Sequence, residues 1–212
     1  MKTLFILIII CFLQPIYSYG QDYDIKNDIR ENVPEEHKKY IEETYLRAKQ
    51  GSGKDQISLG LLYTGAGDLK QDYKKSLEWF NKACDQGIPA GYLLLGNVYL
   101  NGYGVDIDYE KAKELFEKAY NGGLKYATYY LGLIYFNGFD VKKDVKKAKG
   151  YFEKAAAQGD ATALFYLGDM YFSGYGVRQN YITAKEYFGQ ACDKGLQGGC
   201  EMYKELNNIK LK

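Results

Sequence analysis

Histidine is almost missing from this 212-residue chain: there is one, His37, beside one tryptophan, three prolines and four cysteines. A single histidine excludes a multi-histidine zinc site, and Cys11, Cys84, Cys192 and Cys200 are not spaced as zinc ligands. His37 stands in the charged run Glu35-Glu36-His37-Lys38-Lys39, which reads as a solvated helix face. Neither Ser-x-x-Lys nor Gly-x-Ser-x-Gly occurs, so the usual serine acyl-transfer chemistry lacks its nucleophile motif. Asp106, Asp108 and Glu110 alternate as in a calcium loop, but the glycine that loop needs next is Lys111. The residues therefore point to no catalytic, cofactor or metal site.

An excess of one charge is also lacking. The chain carries 28 Lys+Arg against 27 Asp+Glu, and Lys2 is the one charge in the first twenty residues. Without those residues the balance is even, which leaves no overall pull toward nucleic acid. The apolar run Leu4 to Leu13 is too short to span a bilayer. With 46% apolar and 26% charged residues the chain sits near the globular average, which excludes a disordered, collagen-like or multi-pass membrane protein.

The same apolar run, after Met1-Lys2-Thr3 and before small residues at Ser18 and Gly20, reads as a secretory signal peptide over residues 1–20. Cys11 follows Ile8-Ile9-Ile10 rather than the small residues of a lipoprotein site, so no lipid is expected. Cleavage leaves no membrane span and places Cys84, Cys192 and Cys200 in an oxidising compartment, where pairing is possible and one thiol is left over.

What the chain has in surplus is glycine, 24 residues, and tyrosine, 23. Much of both follows from a repeat. Leu-Gly recurs at Leu59-Gly60, Leu95-Gly96, Leu131-Gly132 and Leu167-Gly168, each 36 residues from the last. In the same frame come Tyr63, Tyr99, Tyr135 and Tyr171; Asp72, Asp108, Asp144 and Asn180; and Phe80, Phe116, Phe152 and Phe188. Gly87, Gly123, Gly159 and Gly195 close the units. Within a unit the spacing of Ala112, Leu115, Phe116 and Ala119 puts them on one helix face. A second helix precedes this one, and Gly-rich segments such as Asn101-Gly102-Tyr103-Gly104-Val105 join the two. Each unit is therefore predicted to be a helix hairpin that buries its apolar faces against its neighbours, and the whole an all-α solenoid.

These residues carry a resemblance. Gly104-Val105 through Asp108, Lys111-Ala112, Phe116, Lys118-Ala119 and Gly123, with Leu131-Gly132 and Tyr135, resemble the Sel1-like repeat, a 36-residue relative of the tetratricopeptide repeat. The resemblance implies a right-handed α-solenoid with units at 52–87, 88–123, 124–159 and 160–195. An N-terminal segment with a capping helix fills 21–51, and a capping helix and tail fill 196–212. The first unit departs from the pattern at Ser76 and at Ala66-Gly67-Asp68-Leu69. Glu35 to Gln50 looks like the second helix of a degraded unit, with Pro34 in its first turn and Tyr45 in the phenylalanine slot. In the terminal helix Lys204 stands where the Leu-Gly glycine belongs.

Lys194-Gly195 to Gly199-Cys200 is similar to the cysteine-rich branch known from Helicobacter, whose cysteines in the slots of Cys192 and Cys200 are bridged; that similarity implies the same pair here. Cys84 has Tyr92 in its partner slot and is expected to be a buried free thiol. Some members of that branch are described as penicillin-binding proteins or weak β-lactamases, so the resemblance also implies a β-lactam-binding or peptidoglycan-directed hydrolase, a reading the residues do not support on their own. In tetratricopeptide-like stacks the variable arc of each first helix lines a concave groove. By matched position that groove takes Ile57, Leu61 and Thr64, then Leu93, Asn97 and Leu100, then Tyr126, Tyr129, Leu133 and Phe136, and Phe165, Asp169 and Phe172 with Thr162. An aromatic, nearly uncharged groove suits a protein or an extended peptide. The expected protein is bacterial, secreted or periplasmic, monomeric, and bound to neither nucleic acid nor cofactor.

Overall fold

The computed structural model describes residues 24–139 and 142–208; the predicted leader at 1–20 lies outside them. Among the described residues ten α-helices follow one another: α1 (Glu35–Lys49), α2 (Gly53–Leu61), α3 (Tyr73–Asp85), α4 (Pro89–Asn101), α5 (Tyr109–Asn121), α6 (Ala127–Asn137), α7 (Val145–Ala156), α8 (Ala161–Ser173), α9 (Tyr181–Asp193) and α10 (Gln197–Asn208). Each packs chiefly on the helices before and after it in the chain. The pairs α2/α3, α4/α5, α6/α7 and α8/α9 are the hairpins, and the architecture is an all-α repeat stack. No helix among the described residues is long and apolar enough to cross a membrane.

One device starts every second helix. The Asp72, Asp108 and Asp144 carboxylates accept from the backbone N–H of Lys75, Lys111 and Lys147 at 3.1, 2.8 and 2.9 Å. Asn180 accepts from Ile182 and Thr183, each at 3.1 Å, and caps α9 in the same way. Such a cap contributes about 0.5–2 kcal/mol. The first helices α4, α6 and α8 end on the left-handed glycines Gly102, Gly138 and Gly174, and the turns between units on Gly87, Gly123, Gly159 and Gly195.

The Leu-Gly pair has a packing cause. Leu59, Leu95, Leu131 and Leu167 are buried, and beside them a side-chain carbon at Gly60, Gly96, Gly132 or Gly168 would come within 3.0 Å of the ring of Phe80, Phe116, Phe152 or Phe188. Glycine lets the second helix of the hairpin lay its phenyl ring on the first. Those four rings are themselves fully buried.

The first unit departs from the regular pattern as its sequence does. Ser76 replaces alanine in the core, and its hydroxyl donates to the Gly60 carbonyl at 2.7 Å, so the buried group is satisfied. After α2 the chain makes a wide π-type turn over Leu62–Ala66, with positive φ at Gly65, one residue before the position matching Gly102. Residues 24–33 strap this loop in place. Arg30 N–H donates to the Asp68 carbonyl at 2.9 Å and Lys70 N–H to the Asp28 carbonyl at 2.8 Å, around an isolated bridge between Ile29 and Leu69. The Tyr63 hydroxyl and the Lys75 ammonium both donate to the Asp28 carboxylate, at 2.6 and 2.7 Å. Ile25, Ile29 and Leu69 are buried with Ile41, Leu59 and Trp79. Pro34, expected in the first turn of α1, is instead its N-cap, because the helix begins at Glu35. α1 is tied to α2 by Arg47, whose guanidinium donates twice to Asp55 at 3.0 and 3.1 Å.

Candidate interaction surface

The residues of the expected groove sit where their spacing puts them: Leu93, Asn97 and Leu100 on α4, Tyr126 at the start of α6, Tyr129, Leu133 and Phe136 on α6, and Phe165, Asp169 and Phe172 on α8. All are half-buried except Tyr126, which is 60% exposed. The rings are thus neither free nor enclosed. Tyr129 lies 6.4 Å from Phe152 on its own hairpin and 6.1 Å from Tyr166 on the next. Phe136 meets Phe152 at 6.0 Å and Tyr166 at 5.8 Å, edge-on in both cases. Phe165 is 5.3 Å from Phe188, and Phe172 is 5.5 Å from Tyr181. Burial, with Tyr166 beside it, pushes the Tyr129 hydroxyl far above its usual range, so it stays protonated at any physiological pH.

Two rings outside that set hold the row together. Tyr130 stacks on Phe116 of the preceding hairpin with centroids 4.7 Å apart, and Tyr166 stacks on Phe152 of its preceding hairpin at 5.0 Å. Each is a rung between units, and edge-to-face or stacked pairs of this kind add about 0.5–1.5 kcal/mol beyond burial. The signal was present as the recurrence of tyrosine 36 residues apart, but Leu94 and Met202 in the same slot obscure it.

The polar members make local bonds. Asn97 accepts from the Asn101 side chain at 2.7 Å, and Asp169 accepts from the Ser173 hydroxyl at 3.3 Å. The recurring tyrosines lie off this row. Tyr99 and Tyr135 accept from Lys111 and Lys147, both at 2.7 Å, while Tyr135 and Tyr171 stack on Tyr151 and Tyr187.

Cys192 and Cys200 are bridged, with Cα atoms 4.5 Å apart, and the bridge fastens α10 to α9. Cys84 is a free, half-buried thiol, and burial, aided by Asp85, pushes it up to about 12. His37 is exposed and its Nδ1 lies 3.0 Å from the Asp68 carboxylate. Among the described residues no three His, Cys, Asp or Glu side chains cluster in a way that would hold a metal ion.

Known proteins extend the picture. The protective antigen c5321 of uropathogenic Escherichia coli, described as displaying an SLR fold, is 34% identical over 76% of this chain, with a TM-score of 0.69. The chain spans only 34% of the length of that protein. A Sel1 repeat protein of Oxalobacter formigenes superposes with a TM-score of 0.75 at 24% identity, over 81% of this chain and 70% of its own. Helicobacter pylori cysteine rich protein B is 31% identical over 63% of this chain and 96% of its own, with a TM-score of 0.48. No curated protein matches the chain. The family model of the Sel1 repeat matches residues 55–88, 89–124, 125–160 and 161–196, one hairpin after another over more than half of the sequence, and the chain belongs to the Sel1 repeat family.

Proposed function

We propose that this protein is a bacterial, exported interaction scaffold, periplasmic or secreted, which holds a protein or an extended peptide along the aromatic row of its first helices. The observation that carries the reading is the half-buried state of Leu93, Leu100, Tyr129, Leu133, Phe136, Phe165 and Phe172. One side of each is fixed by packing on the stack, and the other remains for a partner. Rings anchored in this way present contact area at little entropic cost. The bridge between Cys192 and Cys200 supports the exported location, since such bonds persist in oxidising compartments.

The test separates contact from stability. Tyr126 is exposed and Asn97 is bonded only within α4, so Tyr126→Asp with Asn97→Lys changes the row without opening the core. Wild type and variant, immobilised at equal helicity and equal thermal midpoint, are compared for capture from a periplasmic extract and from culture medium. Loss of the captured species from the variant is the expected result; identical recoveries would sink the assignment of the row. Fractionation of the native cells checks the location.

A further inference from the structure

We propose that the cleft between α7 and the loop leading into α9 binds an acidic segment of a polypeptide. This open cleft of about 700 Å³ is lined by Lys146 and Lys149 of α7, by Arg178 and Gln179 of the loop, and by Tyr171 and Asn180. No carboxylate lines it among the described residues. Lys149 is paired with Glu153, whereas Lys146 and Arg178 form no ion pair with a described residue. Three cations from two consecutive units thus face one space.

The repeat provides the comparison, because the positions that line this cleft recur by register in the other hairpins, and some of them are charged differently there. The slot of Lys146 holds Glu110 one unit earlier, and the slot of Asn180 holds Asp144, Asp108 and Asp72. Asn180 does the work of those aspartates as a helix cap, accepting from two backbone N–H groups, while it removes their negative charge from the cleft. The lysine that donates to Tyr99 and to Tyr135 is matched by Thr183 in the fourth unit. The Tyr171 hydroxyl accordingly makes no hydrogen bond to a described residue and is open to a ligand oxygen. Loss of an acid at the Asn180 slot favours an incoming anion, and loss of the lysine at the Thr183 slot, although it removes a cation, leaves the Tyr171 hydroxyl as a donor for it.

The size of the cleft selects the class. It is much larger than a single small anion, and its cations are distributed along it, which fits carboxylates spaced on an extended chain and bonded one by one to Lys146, Arg178 and the Tyr171 hydroxyl. None of the lining residues belongs to the aromatic row, so this inference and the scaffold assignment fail separately.

The experiment uses the whole protein with a fluorescein-labelled hexaglutamate peptide, followed by anisotropy at two salt concentrations, with hexaserine as the neutral control. Hexaglutamate is expected to bind, hexaserine not, and the affinity to fall as salt rises. Arg178→Gln and Lys146→Gln should each weaken binding by about fivefold or more. Asn180→Asp should weaken it similarly with the thermal midpoint unchanged, since the cap is kept. Lys82→Gln, on the Trp79 ring of the first hairpin, should leave it as in wild type. Equal binding by wild type, Arg178→Gln and Asn180→Asp would overturn the proposal. So would displacement of the peptide by equimolar inorganic phosphate, which marks a small-anion pocket, or Arg178-dependent binding to phosphatidylglycerol vesicles without peptide binding, which marks a lipid surface.

Discussion

The phenyl ring of Phe152 occupies the space that a side chain at residue 132 would need: a carbon attached to Gly132 would lie 2.6 Å from the ring. The same relation joins Gly96 to Phe116 and Gly168 to Phe188. It explains why a residue that weakens helices persists in the middle of each first helix. Gly132→Ala gains about 1 kcal/mol of helix propensity but overpacks the hairpin at a cost of about 1–3 kcal/mol. Its urea midpoint is therefore expected to fall. Gly150→Ala in α7, where nothing lies within 4 Å, should raise the midpoint by the equivalent of about 0.5–1 kcal/mol.

Reduction of the bridge between Cys192 and Cys200, or Cys192→Ser, removes closure of a loop of about nine residues, worth roughly 2.5 kcal/mol in the chain-entropy view. Repeat stability is a sum of neighbour terms, so the loss should concentrate at the end of the stack. Amide exchange is expected to accelerate in α10 while α4 to α7 keep their protection; a uniform change along the chain would contradict this.

Cys84 and Tyr92 occupy, three periods upstream, the slots of Cys192 and Cys200. Tyr92→Cys should therefore form a second bridge with Cys84 on oxidation, found as a cross-linked peptide by mass spectrometry without reduction. Pairing of the new cysteine with anything else would show the two hairpins to be out of register.

The Cys84 thiol is raised to about 12 by burial and by Asp85, so the native protein holds almost no thiolate at pH 8. Alkylation by iodoacetamide should be slower than in urea by on the order of a hundredfold or more at that pH, and should rise steeply only in strong alkali. The unfolded thiol ionises first, so the stability contributed by the protonated native thiol is lost as pH climbs from about 9 toward 12.

Arg47 and the Ser52 hydroxyl hold the Asp55 carboxyl below its ordinary range. Its folded value is depressed, so its contribution is complete above the unfolded value of about 3.9 and is lost as pH falls through the folded one. Asp55→Asn should lower the thermal midpoint at pH 7, and the gap from wild type should narrow below about pH 4. A gap of constant size would mean that the Arg47 contact does not depend on the charge of Asp55.

The hairpins and their period are legible in the order of the amino acids, because caps at Asp72, Asp108, Asp144 and Asn180, left-handed glycines and buried phenylalanines act within one unit and leave a local signature. The same order places the residues of the expected groove on their helices, since a period of 36 fixes which positions share a face. How those residues pack is visible only in the folded chain. Tyr129 and Phe165 are half-packed on the rings of neighbouring helices, and Tyr130 and Tyr166 stitch hairpin to hairpin. Asp28, Arg30 and Ile29 clamp a loop some forty residues away, outside any repeat register. These contacts join residues distant in the chain through packing and charge at a distance of a few ångströms, and a periodic pattern carries no record of that.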